Sequence, residues 1–223
     1  MGILPEGVKE RLGKDLEEAM VNEVKLVMFT QEVECQFCKE TRELLEEVAT
    51  LSPKIKLEVY DFIKDGEKAK DYQIDKIPAI AVIGKKDYGI RFYGIPSGYE
   101  VTALVQDIID VSKGVTKLSE ENRNSLKTVN KPIHIQVFVL PTCPYCPGMG
   151  RLAHQFAMES EFIKADIIEA SEFPQLTHKY AIMAVPKTII NEKVEVLGAV
   201  TEEVLVERVL QALHSSADIS PIV

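Results

Sequence analysis

Tryptophan is missing from this chain of 223 residues, and cysteine is confined to four positions. No apolar run approaches the roughly 18 residues needed to span a bilayer, so no membrane helix is expected and no membrane partner. Basic residues are in deficit: 26 Lys and Arg face 35 Asp and Glu, for a formal charge of -9. No basic cluster stands out either, which excludes a general nucleic-acid role. The first residues, Met1-Gly2-Ile3-Leu4-Pro5-Glu6, have no basic n-region and no apolar h-region. No signal peptide is therefore expected, and the chain is expected to stay in the cytosol. Scaffolding disulfides are rare there, so paired cysteines point to catalysis or metal binding. The 25 Glu against 8 Gln, with no Trp, fit a thermophile.

All four cysteines sit in two copies of one motif, Cys35-Gln36-Phe37-Cys38 and Cys143-Pro144-Tyr145-Cys146. A shift of 108 residues carries Cys35 onto Cys143 and Cys38 onto Cys146. It also carries Val21-Asn22 onto Val129-Asn130, Leu44 onto Leu152, Lys56 onto Lys164, Tyr72 onto Tyr180 and Pro78 onto Pro186. A gap-free repeat this long is too large for a solenoid unit and indicates a duplicated domain. The predicted division is 1–117, with the C-Q-F-C site, and 118–223, with the C-P-Y-C site.

Each half reads in the same order. A helix, amphipathic from Pro5 to Met20 in the first half and polar from its Ser119 cap to Val129 in the second, precedes an apolar strand (Val24 to Thr30; Ile133 to Leu140). The cysteine motif then opens a helix (Cys35 to Leu51; Cys143 to Glu159). A second strand, a short helix, a hairpin and a last helix follow. Gly114 is expected to stop the last helix of the first half. Strands alternating with helices before a hairpin give an α/β class with a mixed sheet flanked by helices in each half. No Gly/Ser linker separates the halves, so close packing is expected; the tail Ser215 to Val223 is expected to be loose.

A dithiol that exchanges electrons needs one accessible thiolate and a second thiol close behind it. Two intervening residues at a helix start supply both, because free N–H groups and the macrodipole favour the anion at the first cysteine. Cys35 and Cys143 are therefore the expected nucleophiles, with Cys38 and Cys146 resolving. The competing reading makes each pair half a zinc site. Zinc ribbons space such pairs by roughly 15–20 residues, whereas 104 residues lie between Cys38 and Cys143, and neither pair has the neighbours to complete four ligands. No metal is expected. His154 reads as a solvated helix residue, and the four histidines as incidental.

Ile77-Pro78 and Val185-Pro186 each place a proline 40 residues after the second cysteine, at the start of a strand. An ordinary turn proline would fit either one; equal spacing in both halves makes them substrate-binding candidates. Glu58 and Asp166 match under the same shift inside otherwise apolar strands, so they are candidate proton acceptors. The alternative is a pair of strand-edge carboxylates facing water. Glu32 and Glu34 stand before Cys35, while Pro141-Thr142 precede Cys143; Cys143 is expected to be the more acidic thiol.

Taken together, strand, C-x-x-C helix, strand, short helix, apolar-Pro, hairpin and helix resemble the thioredoxin fold, and Cys-Pro-Tyr-Cys resembles the glutaredoxin signature. Two such units in one chain resemble the protein disulfide oxidoreductases of thermophilic archaea and bacteria, small counterparts of protein disulfide isomerase. The resemblance implies two tandem thioredoxin-like domains, cis peptides before Pro78 and Pro186, and no cofactor beyond the redox-active disulfides. It implies reducing equivalents from a flavoprotein of the thioredoxin-reductase kind or a dithiol donor. Two features depart from the classical thioredoxin pattern: no Trp precedes the motif and no Asp lies in the preceding strand. The expected function is a thiol–disulfide oxidoreductase that reduces, forms or isomerises protein disulfides. The alternatives are an electron relay to a peroxidase or reductase, and a chaperone-like module whose thiols are structural.

Overall fold

Both halves of the chain fold through one element order. In the computed structural model, which describes residues 2–215, the first half contains α1 (Glu6–Ala19), β1 (Val24–Thr30), α2 (Cys38–Thr50), β2 (Ile55–Asp61), α3 (Gly66–Asp71), β3 (Ala79–Ile83), β4 (Asp87–Tyr93) and α4 (Glu100–Lys113). The second contains α5 (Glu120–Leu126), β5 (Ile133–Val139), α6 (Cys146–Glu159), β6 (Ile163–Glu169), α7 (Pro174–Lys179), β7 (Lys187–Ile190), β8 (Val194–Leu197) and α8 (Glu202–Ser215). The 108-residue shift maps β2 onto β6 and α3 onto α7 at both ends. The tail from residue 216 lies outside the described residues. No described helix is long and apolar enough to cross a membrane.

All eight strands form one sheet, ordered β2-β1-β3-β4-β6-β5-β7-β8. In each half the first two strands run parallel and the hairpin returns antiparallel. The halves are joined by a parallel pair, β4 on β6, with Ile90 opposite Ala165 and Tyr93 opposite Ile168. The close packing of the halves is thus backbone ladder as well as side-chain contact. The inner strands are largely buried on both faces. Along β1, Leu26 and Met28 enter the core shared with the helices, while Val27 and Phe29 enter a second core on the opposite face. That alternation is the period of two that an extended chain imposes. Leu12 and Leu16, one helical turn apart, fix α1 to the first of these cores. Truncating a buried leucine of this kind costs about 2–5 kcal/mol.

Two boundaries differ from the sequence expectation. Helices α2 and α6 begin at the second cysteine of each motif, not the first. Phe37 is the N-cap of α2 and its carbonyl accepts the first helical bond, from the Thr41 N–H at 2.9 Å. Cys35 and Cys143 therefore lie on the turn that leads in. Ser119 does cap α5, its hydroxyl accepting from the Asn122 N–H at 3.2 Å. Gly114 does stop α4, in the left-handed conformation at φ 68°.

The loop from Gly94 to Tyr99 ties the halves together. The Tyr99 N–H donates to the Pro141 carbonyl at 3.0 Å. Gly98 has φ 59°, and a Cβ there would overlap that same carbonyl. Gly98→Ala should therefore lower the thermal midpoint by several degrees, since a strained left-handed residue costs about 1–3 kcal/mol before any clash. Calorimetry checks this; an unchanged midpoint would mean that the loop moves away freely.

Candidate active site

The strand-turn-helix connection in each half delivers its first cysteine to the surface and its second to the core. Cys35 and Cys143 are partly exposed, whereas Cys38 is 2% and Cys146 0% exposed. Each pair is disulfide-bonded, with Cα atoms 5.5 Å apart in both. Among the described residues no group of three or more His, Cys, Asp or Glu could hold a metal ion. The geometry suits exchange: once reduced, an outer sulfur at a helix N-terminus meets a partner, and an inner sulfur stands within bonding reach.

The cis-proline of the second half comes to the same place as its dithiol. Both Ile77-Pro78 and Val185-Pro186 are cis, the form the resemblance implied. The Cys143 Sγ lies 3.8 Å from the Val185 carbonyl oxygen, so the backbone before Pro186 borders the outer sulfur of this pair.

The structure does not bring Glu58 and Asp166 to the dithiols. Strand alternation puts Ala165 and Ile167 on the face shared with Cys146, which leaves Asp166 on the other face with Ile168. There Asp166 is fully buried and bonds His134 at 2.6 Å. Burial opposes its ionisation, but the His134 bond and nearby cations hold its carboxyl below the ordinary range. Glu58 likewise points away from α2. It pairs with Lys25 at 2.9 Å and accepts from the Tyr60 hydroxyl at 3.0 Å, and the Lys25 bond first of all lowers its pKa. The period of two sends one carboxylate in each half to the wrong face for a proton transfer to sulfur. His134 is accordingly a partner of Asp166 and not incidental.

A carboxylate that sequence reasoning missed lies on the cysteine face. Glu100, in the first turn of α4, is 1% exposed, and neither side-chain oxygen has a hydrogen-bond partner among the described residues. It lines a small cavity with Val139 and Ile167. Val139 ends β5, just before the Cys143 turn, and Ile167 meets α6 at Gly150, one turn beyond Cys146. Burial, with the Asp107 charge adding, pushes Glu100 up to about 8. Asp107 itself is bonded to His154 at 2.6 Å, and the other nitrogen of that ring lies 3.2 Å from the Arg91 carbonyl. His154 is 0% exposed, so it is no solvated residue: α4 covers the face of α6 that the isolated helix would show to water. Arg151 adds an ion pair to Asp110 at 2.6 Å. The available signal was acids on the apolar stripe of α4, at Glu100 and, seven residues on, Asp107.

Tandem C-x-x-C units, each with a partly exposed outer and a buried inner sulfur and each followed by a cis-proline 40 residues on, define a thioredoxin-fold dithiol protein. The family model for a thioredoxin domain matches residues 133–211. The thioredoxin of Methanocaldococcus jannaschii is 39% identical over 82 residues, which are 36% of this chain and 96% of that protein. A protein disulfide oxidoreductase from Aeropyrum pernix superposes with a TM-score of 0.89 at 31% identity, covering 95% of this chain and 94% of that one. The chain belongs to the protein disulfide oxidoreductases and is built from two tandem thioredoxin-like domains. The F component of alkyl hydroperoxide reductase from Staphylococcus aureus is also similar, at 27% identity over 183 residues. The match covers 82% of this chain and 32% of that protein, so the chain spans about a third of the length of these curated relatives.

Proposed function

We propose that Cys35 and Cys143 are the nucleophiles of two dithiol sites, with Cys38 and Cys146 as their resolving partners. A reduced site works in two exchanges. The outer thiolate attacks one sulfur of a substrate disulfide; a mixed disulfide forms, and the other substrate sulfur leaves as a thiolate that takes a proton. The inner thiol then loses its proton and attacks the mixed disulfide. The second substrate thiol departs, and the protein keeps the disulfide. Two electrons pass to the substrate, and an external dithiol or a flavoprotein reductase returns them. Run backwards, the same steps oxidise a substrate dithiol.

The observation that carries this reading is the burial contrast between the two sulfurs, repeated in both halves. The test is trapping. Cys146→Ser in a Cys35→Ser/Cys38→Ser background should accumulate a mixed disulfide with a cystine-bridged peptide, detected by non-reducing mass spectrometry at Cys143. Absence of the adduct, with the wild type active, would overturn the assignment.

Ile77-Pro78 and Val185-Pro186 dock the substrate backbone in this scheme, because the Val185 carbonyl borders the Cys143 sulfur. Glu100 takes the proton of Cys146, the role first sought in Glu58 and Asp166. The units divide between residues 117 and 118, and the protein works in the cytosol of a thermophile. A second reading, an electron relay between a flavoprotein and a peroxidase, draws support from the likeness to the alkyl hydroperoxide reductase component over 82% of the chain. Under that reading the two dithiols pass electrons to a defined partner instead of to many clients. A chaperone-like module with structural thiols would keep its client affinity when all four cysteines become serine.

A further inference from the structure

The two dithiols are set in unlike surroundings, and the shift of 108 residues shows how unlike. Glu32, Lys39, Glu40 and Arg42 around the first site correspond to Leu140, Pro147, Gly148 and Gly150 around the second. In the loop before the cis-proline, Asp75-Lys76 correspond to Met183-Ala184. The replacements run in one direction, from charged to apolar or small. Met183 is 91% exposed and Tyr145 71% exposed, so the second site shows large apolar side chains to water.

The hollows beside the two sites differ in the same sense. A hollow of about 540 Å³ that contains Cys35 and Cys38 is lined by eleven residues, six of them charged. The hollow beside the second site, about 630 Å³, has Arg11 as its sole charged lining residue. Its walls are Leu4, Val8 and Leu12 from the α1 side, Tyr99 and Thr102 from the start of α4, and Pro141-Thr142. Pro141 and Thr142 directly precede Cys143, so the groove runs into the reactive turn. It exists because β4 pairs with β6, which brings the start of α4 against the second motif.

We infer that the second dithiol takes disulfides flanked by apolar, extended polypeptide, such as an unfolded client exposes, with the groove from α1 to Thr142 holding the apolar flank. The first dithiol, inside its charged ring, has no such preference. The occupant is argued from continuity: a chain whose cysteine reaches Cys143 must continue past it, and the apolar groove is one way on. This inference rests on the proposed function and adds the substrate class.

The experiment uses the full chain with one site left active. Cys35→Ser/Cys38→Ser leaves the second site, and Cys143→Ser/Cys146→Ser leaves the first. Two cystine-bridged peptides of equal length serve as substrates, one flanked by Leu, Val and Phe, the other by Ser, Asp and Lys. The second-site enzyme should favour the apolar peptide in kcat/KM by about tenfold or more, the scale set by one or two buried methylenes. The first-site enzyme should show no preference for it. Thr102→Glu, an exposed change that puts a charge in the groove, should bring the second-site ratio close to one by raising KM for the apolar peptide. Equal ratios at the two sites would overturn the inference, as would a ratio that Thr102→Glu leaves unchanged. Concentration-dependent dimerisation lost in Thr102→Glu, with the ratio intact, would assign the groove to a second copy and overturn it as well. If neither single-site enzyme reduces either peptide while both remain folded, the proposed function itself fails.

Discussion

Cys35→Ser/Cys143→Ser is expected to lose reduction of insulin-type disulfides with dithiothreitol as donor, by on the order of a thousandfold or more. A serine hydroxyl does not ionise near neutrality, and the inner sulfurs are buried, so neither can replace the outer thiolate. Each single variant should keep the turnover of its remaining site. The helix N-termini favour both thiolates, yet the neighbourhoods differ. Glu32 and Glu34 precede Cys35, and Asp61 and Asp65 line the same hollow, although Lys39, Arg42 and Lys64 offset them there. Cys143 has the uncharged Pro141-Thr142 before it, with no carboxylate among them. Cys143 is therefore expected to have the lower pKa and the second site to be the more oxidising, by tens of millivolts, where about 30 mV is 1.4 kcal/mol. Alkylation of the two single-site variants across pH gives both values. Full insulin turnover in the double variant would sink the assignment of both cysteines.

The fold of each half could be read because the chain states it twice. A strand such as Leu26 to Thr30 is ambiguous alone, but its copy at Ile133 to Val139, followed by the same motif, leaves one reading. The pairing of the cysteines within each motif and the repeated prolines could be read for the same reason. What lay beyond reach was the pairing of one half with the other. No offset within the sequence says that β4 meets β6, or that α4 lies on α6. The misreading of His154 and the missing of Glu100 follow from that. His154 looks solvated on an isolated helix and is buried because Asp107 comes from the other half. Glu58 and Asp166 were attractive because they repeat, but the alternation along β2 and β6 turns both away from sulfur. Repetition reports what each unit needs; it is silent on what the seam between units adds.

Glu100→Gln tests the seam, and its two expected effects have opposite value to the enzyme. At the second site, the inner thiol must lose its proton before it can attack the mixed disulfide. Glu100 shares with Cys146 the core under the motif, through Val139 and Ile167. A carboxyl whose pKa is about 8 exchanges protons readily near neutrality, while glutamine cannot. Resolution at Cys146 should slow by about a hundredfold, at the lower end of general acid–base effects, and the first site should be untouched. Stability should move the other way. Burial raises this carboxyl from an ordinary 4.5 to about 8 in the folded chain. Below the lower value both states carry the proton, and Glu100 costs nothing through charge. Between the two values the folded state holds a proton that the unfolded state has released, so stability falls as pH rises. Above about 8 the whole penalty is present, on the order of 5 kcal/mol at most. Glutamine carries no charge at any pH. Glu100→Gln should thus stabilise the protein by a few kcal/mol near pH 9 and by little near pH 4. Denaturant midpoints at the two pH values read this directly. An equal gain at both would show that the carboxyl is not held neutral by burial, and a normal resolution rate would remove Glu100 from the proton path.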